Sequence, residues 1–155
     1  MYKYLLLFLC TNIFSQNIEF TQNKYLSAFD RTVISKGKLS FEKNKMSLYY
    51  ENDNKTVHLT PSKIIISTEK RDFIYDKQDK IELSIFLSLI QAIFNDDEQS
   101  LKKNFILSKN SHILLQPKEF LEGIIKKIEY KKDGKKLIYL NIYFVNKNRI
   151  NIVEN

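Results

Sequence analysis

From Lys38 to Tyr75 the apolar residues recur at every second position, in short runs separated by polar breaks. Leu39 and Phe41 alternate with Lys38, Ser40 and Glu42, and Met46, Leu48 and Tyr50 alternate with Ser47 and Tyr49. Val57 and Leu59 follow, then Ile64 to Ile66, then Phe73 with Tyr75 before a turn over Asp76 to Lys80. Successive side chains of a strand point to opposite faces, so this period predicts strands with one face on a core and one on water. Lys43, Asn44 and Lys45 form a polar break short enough for a hairpin. With only three glycines and two prolines, the turns must be built from Asn, Asp and Lys clusters. An antiparallel meander is expected.

One segment breaks the period. LSIFLSLIQAIF, Leu83 to Phe94, has nine apolar residues in twelve, and its polar members Ser84, Ser88 and Gln91 fall on one narrow line of a helix. At 1.5 Å per residue such a helix is about 18 Å long, too short for roughly 30 Å of bilayer hydrocarbon. Asn95, Asp96 and Asp97 stop it. Strands resume at Phe105 to Leu107 and His112 to Leu115, Lys118 to Leu121 reads as a helical turn, and Ile124 to Tyr130 leads to a turn at Asp133 and Gly134. In Leu137 to Val145, Ile138, Leu140, Ile142 and Phe144 share one face, with Tyr139, Tyr143 and Val145 on the other, which reads as a central strand. Arg149 to Val153 closes the chain.

The expected fold is mainly β with an inserted helix (α+β), a strongly curved antiparallel sheet. An apolar sheet face needs a cover, and one helix covers only part of it. That leaves room for an apolar cavity with the helix as its lid. The expected lining is Leu39, Phe41, Met46, Leu48, Tyr50, Leu59, Ile64 and Ile66 from the sheet, and Leu83, Phe86, Leu87, Ile90 and Phe94 from the lid.

A chain of 155 residues has room for one domain. Its start, MYKYLLLFLCTNIFSQN, has one cation, Lys3, an apolar run from Tyr4 to Cys10, and a small residue, Ser15. That is the layout of a secretory signal peptide over residues 1–15, cleaved near Ser15 and Gln16, with a single domain over residues 16–155. Cys10 is the sole cysteine, so the mature chain would have no thiol for disulfides, nucleophilic catalysis or zinc. The formal charge is +7. Lysines are densest around the Asp133 and Gly134 turn, where Lys126, Lys127, Lys131, Lys132, Lys135 and Lys136 read as a solvated hairpin tip.

Reactive chemistry is sparse. His58 and His112 lie in different strands without metal-ligand spacing, and Asp96, Asp97 and Glu98 lack the alternation of a calcium loop. There is no phosphate loop, GxSxG or HExxH. A non-enzymatic binding protein without a cofactor is expected.

The stretch FTQNKYLSAFDRTVISKGKLSFEKNKMSLYYENDNKTVHLTP resembles the first half of the outer-membrane lipoprotein carrier proteins, the LolA family. The resemblance rests on Phe20 and Gln22, on Ser35 and Gly37 before a strand, and on the lysine-rich hairpin from Phe41 to Met46. Later come the apolar helix with its acidic end at Asp96 and Asp97, a strand led by Phe105, and Leu115-Gln116-Pro117-Lys118. It implies an unclosed antiparallel half-barrel with helical lids, whose interior receives lipoprotein acyl chains. Carriers of this kind take cargo from an inner-membrane lipoprotein-releasing transporter and cross the periplasm to an outer-membrane acceptor. Two departures stand out: the family's lid-holding arginine aligns with Ser47, and the helix that precedes the first strand in the family has no counterpart between Gln16 and Glu19.

The expectation is a monomeric periplasmic carrier, or chaperone, for acylated lipoproteins or another lipid, with no nucleic-acid partner. One alternative is an outer-membrane acceptor of the same fold, anchored through lipid on Cys10. Another is a secreted basic protein that binds polyanions, although no clustered basic-aromatic groove is visible in the sequence. Replacing Leu87 by Asp is expected to reduce lipid binding while the β circular-dichroism signal persists; global unfolding would instead mark Leu87 as plain core.

Overall fold

The computed structural model describes residues 16–155. The expected signal peptide, with Lys3, Cys10 and any lipid attached there, lies outside the described residues.

Six strands come first: β1 (Gln16–Leu26), β2 (Arg31–Glu42), β3 (Lys45–Tyr50), β4 (Lys55–Leu59), β5 (Lys63–Ser67) and β6 (Asp72–Asp76). Two helices follow, α1 (Ile81–Phe94) and the short α2 (Glu98–Asn104). Then come β7 (Phe105–Lys109), β8 (Ile113–Pro117), β9 (Ile125–Asp133), β10 (Lys136–Phe144) and β11 (Arg149–Glu154). They form one 11-stranded sheet in the order β6-β5-β4-β3-β2-β1-β11-β10-β9-β8-β7.

Each half is a meander, and the halves meet where β1 pairs antiparallel with β11, from Phe20 opposite Glu154 to Tyr25 opposite Arg149. The edges, β6 and β7, are not paired to each other, so the sheet is not closed into a barrel. A twisted sheet of this width curls, which gathers the side chains of one face together. The helices link the two edges in sequence, and α1 lies against that inner face. Its Leu87, Leu89, Ile90, Ala92, Ile93 and Phe94 are buried in the same core as Leu39, Met46, Leu48, Leu115, Ile128 and Leu140 of the strands. On the polar line, Ser88 is exposed, and Ser84 and Gln91 are partly so. No helix among the described residues is long and apolar enough to cross a membrane.

Three local readings change. The acidic stretch after α1 starts a second helix: the Asp97 side chain accepts from the Ser100 backbone N–H at 3.1 Å and from the Ser100 hydroxyl at 2.6 Å. That cap uses an Asp and a Ser three residues apart, the spacing expected at a helix start. In β10 a register shift between Leu137 and Tyr139 reverses the face of Ile138. Leu137 is fully buried and Ile138 is 39 % exposed, so the inner row is Leu137, Leu140, Ile142 and Phe144. A bulge adds one residue to the alternation, which period counting cannot detect. Finally, Lys132 leaves the solvated group: its side chain is only 8 % exposed.

Gly37 has a packing reason. It pairs with Phe20 across β1 and β2, and a Cβ there would sit 2.4 Å from both the Phe20 ring and the Tyr49 carbonyl oxygen. Gly37→Ala is expected to destabilise by about 1–3 kcal/mol, read as a lower urea midpoint, because a backbone atom cannot give way as a side chain can.

Candidate functional site

The inner face and α1 bring every sequence-predicted lining residue into one cluster. Leu39, Met46, Leu48, Leu59, Ile64, Leu87, Ile90 and Phe94 are buried, and Phe41, Tyr50, Ile66, Leu83 and Phe86 are partly buried against the same core. The hairpin register explains the sheet side, since Phe41 opposes Met46 and Leu39 opposes Leu48. Phe41 also meets Phe94 of α1, with ring centroids 6.0 Å apart.

Two small recesses lie beside α1, and of the thirteen expected lining residues Leu39, Leu48, Tyr50, Phe86, Ile90 and Phe94 border them, while the other seven are packed in the core around them. One recess of about 60 Å³ lies between the start of α1 and the second half of the sheet, lined by Glu82, Ile85, Phe86, Leu89, Leu121, Ile124, Ile125, Ile142 and Phe144. Another, of about 10 Å³, lies toward the first half and β11, against Phe20, Leu39, Leu48, Tyr50, Phe86, Ile90, Phe94 and Ile152. Phe86 borders both. Ligand pockets typically offer roughly 300–1,000 Å³, so α1 in this position fills the space a long acyl chain would need. The expected single cavity is thus two recesses parted by the helix.

Phe20, Gln22, Gly37 and Tyr50 form a physical unit. Phe20 lies against Gly37 and meets the Tyr50 ring edge-on at 5.9 Å. The Tyr50 hydroxyl donates to Gln22 Oε1 at 3.1 Å, which satisfies the side-chain oxygen of the one polar residue buried as a whole among the described residues. Burial, with Asp53 nearby, pushes the Tyr50 phenol up to about 12, so it stays a neutral donor. Sequence reading singled out Phe20 and Gln22 as motif residues without placing them in the lining.

Sequence reading assigned Lys132 to solvent; the structure aims it inward from β9. Its ammonium donates to the Ile93 carbonyl at 3.2 Å and the Phe94 carbonyl at 3.5 Å, and pairs with Asp96 at 2.6 Å. These are the last carbonyls of α1, where a helix carries partial negative charge and unsatisfied acceptors. Asp96 has φ 55°, the left-handed turn that ends the helix. A signal existed, since Ile128, Tyr130 and Lys132 are spaced by two and the first two are buried. Ser47 lies on the opposite face of the sheet, where its hydroxyl reaches His58.

No buried side-chain polar atom among the described residues lacks a partner. Ser47 Oγ is 2.7 Å from His58 Nδ1 across β3 and β4, and burial and the Lys45 ammonium hold the imidazole below its ordinary value. No acidic or histidine cluster among the described residues has the makings of a metal site. On the outer face, Tyr25, Arg149, Tyr143 and Lys127 are successive partners across β1, β11, β10 and β9. Arg149 lies 5.4 Å from the Tyr25 ring centroid and Lys127 4.8 Å from that of Tyr143. Strand pairing assembles this basic-aromatic row from distant segments, so no single stretch of the sequence displays it. Its rings already hold their own cations, and Lys127 also pairs with Glu129 at 2.5 Å.

No protein-family model matches the chain, and no curated protein matches it.

Lys132→Met is expected to lower stability by roughly 1–2 kcal/mol and to speed amide exchange in the last turn of α1, because the helix loses its C-terminal cation. The depressed His58 value makes a pH prediction. Between its folded value and about 6.5 the unfolded chain binds more protons, so stability is complete above that window and falls as pH drops through it. The urea midpoint measured from neutral to mildly acid pH should decline there, and His58→Gln should remove that slope.

Proposed function

We propose that this protein is a periplasmic carrier that shields the acyl chains of lipoproteins, or of a related lipid, between the inner and outer membranes. The observation that supports this most is the cover of the inner face. An apolar sheet face, left open between β6 and β7, is closed mainly by α1, with an apolar recess on either side. On this reading the sheet is a half-barrel and α1 is its lid.

The two recesses are too small for cargo, so loading displaces α1. A long acyl chain gains on the order of 10 kcal/mol at about 0.8 kcal/mol per buried methylene. Undocking the buried side chains of α1 costs a similar amount, at roughly 1.5–3 kcal/mol each. Loading is therefore an exchange of one apolar cover for another, near balance and reversible. Such a carrier accepts cargo from a transporter and yields it to an acceptor with a better site, without a catalytic group. The Lys132 contacts set part of the closing energy, in place of the arginine absent at Ser47.

The test is native mass spectrometry of the protein isolated from periplasm without detergent. Bound lipid or lipoprotein is expected, and a clean apo mass would count against the carrier reading. The polyanion reading draws on the outer-face row of Tyr25, Arg149, Tyr143 and Lys127. It would require binding to single-stranded DNA or heparin that weakens steeply with salt, whereas acyl-chain binding should not.

A further inference from the structure

We propose that the end of the fold where the β1–β2, β8–β9 and β10–β11 connections meet docks on a lipid surface, with Phe29 and Phe120 as its inserting side chains. The proposal rests on the carrier reading for its purpose but not for its geometry.

Phe29 is 76 % exposed, Phe120 59 % and Val145 52 %. Single exposed apolar residues are ordinary on a soluble protein, but here one large apolar residue projects from each of three neighbouring connections. The connections are tied together. Ser27 receives its partners from the β10–β11 turn: its backbone N–H donates to Asn148 Oδ1 at 2.9 Å and its hydroxyl to the Asn146 carbonyl at 2.7 Å. The Val145 N–H donates to the Ile124 carbonyl at 3.0 Å, and the Ile124 N–H to the Leu121 carbonyl at 3.0 Å. Phe29 and Phe120 are thus presented on loops braced against rigid strand ends. Each connection also holds a non-glycine residue at positive φ: Asp30 at 44°, Glu119 at 51° and Lys147 at 68°. Such conformations are uncommon for Glu and Lys and persist where the surroundings enforce them.

The larger recess reaches the same end. Leu121, Ile124, Ile125 and Phe144 line it, opposite Glu82 and Phe86 of α1. An acyl chain leaving a bilayer at this end would meet apolar surface without crossing water. The occupant follows from the chemistry of the rim. Exposed Lys24, Arg31, Lys126, Lys147 and Arg149 are interspersed with Asp30, Glu119 and Glu122. That modest cationic excess, with the Arg149 guanidinium already over the Tyr25 ring, offers a polyanion no concentrated site. Protruding phenylalanines beside long cations fit the headgroup boundary, where rings bury and ammonium groups stay wet. Binding should accordingly depend on apolar area and respond only mildly to salt.

The chain has no tryptophan, so a single Phe29→Trp or Phe120→Trp substitution gives a site-specific fluorophore. The probe is protein-free vesicles of phosphatidylethanolamine with a minority of phosphatidylglycerol. Both variants should shift emission to the blue on adding vesicles and be quenched by brominated lipid, while Ile74→Trp, on the edge strand β6, should not change. The double variant Phe29→Ser, Phe120→Ser should co-sediment with vesicles roughly tenfold more weakly per phenylalanine removed, yet bind a soluble fluorescent fatty acid as before. No shift in either tryptophan variant overturns the docking site, even where the fatty acid binds and the carrier reading holds. A shift only with membranes that contain protein overturns it in favour of a protein partner. A shift on protein-free vesicles without fatty-acid binding upholds the docking site and sinks the carrier reading.

Discussion

The pairing of β1 with β11 joins the first and last strands of the described residues into one ladder, and the rest of the arrangement depends on it. Each half of the chain makes only a local meander, with one apolar face and no means of burying it. The long-range pairing from Phe20–Glu154 to Tyr25–Arg149 makes one sheet with one inner face. Once the halves are joined, β6 and β7 become the outer edges, and the helical connection between them must pass across the gap. The apolar surround of α1 then has a physical cause: curled strands meet it on several sides, so a narrow apolar stripe would leave polar groups against apolar side chains.

The cover is held by two kinds of contact. Side chains such as Leu87 and Ile93 supply nondirectional burial, and Lys132 supplies a directional contact at the helix end. The difference matters for a lid. Burial is recovered if another apolar surface takes the helix's place, whereas the lysine contacts are specific to α1 and are lost on opening. In the carrier reading, apolar packing therefore sets whether exchange is possible and Lys132 tilts it toward closure. Tyr130, beside Lys132 in the same strand, has its phenol pushed up to about 12 by burial, with Glu98 and Asp96 adding, so it stays neutral under the helix ends.

The outer face is organised differently. Asn23 Nδ2 donates to Asn151 Oδ1 at 3.2 Å and Asn151 Nδ2 to Asn141 Oδ1 at 2.8 Å, beside the row of Tyr25, Arg149, Tyr143 and Lys127. Cross-strand pairs of this sort stabilise a sheet face that has no second layer. They also consume the polar and aromatic groups that a ligand would otherwise engage. The same basic composition that suggested a polyanion partner is thereby partly spent within the sheet.

The sequence pattern shows the hairpin at Phe41 and Met46, the body of α1 and part of the inner cluster, and it marks five of the six strands of the first meander, leaving β1 unread. All of these follow from periods of two and 3.6, which are local properties of the chain. Tertiary pairing alone sets Leu137 rather than Ile138 inward, because a bulge shifts the register without changing composition. It also decided that Lys132 closes the end of α1 and that Phe29, Phe120 and Val145 share one end of the fold. Those relations join residues far apart in the chain, and no local period records which strand ends will meet. The volume beside α1 belongs to the same class: side-chain identity says that a surface is apolar, and packing alone says how much space it leaves.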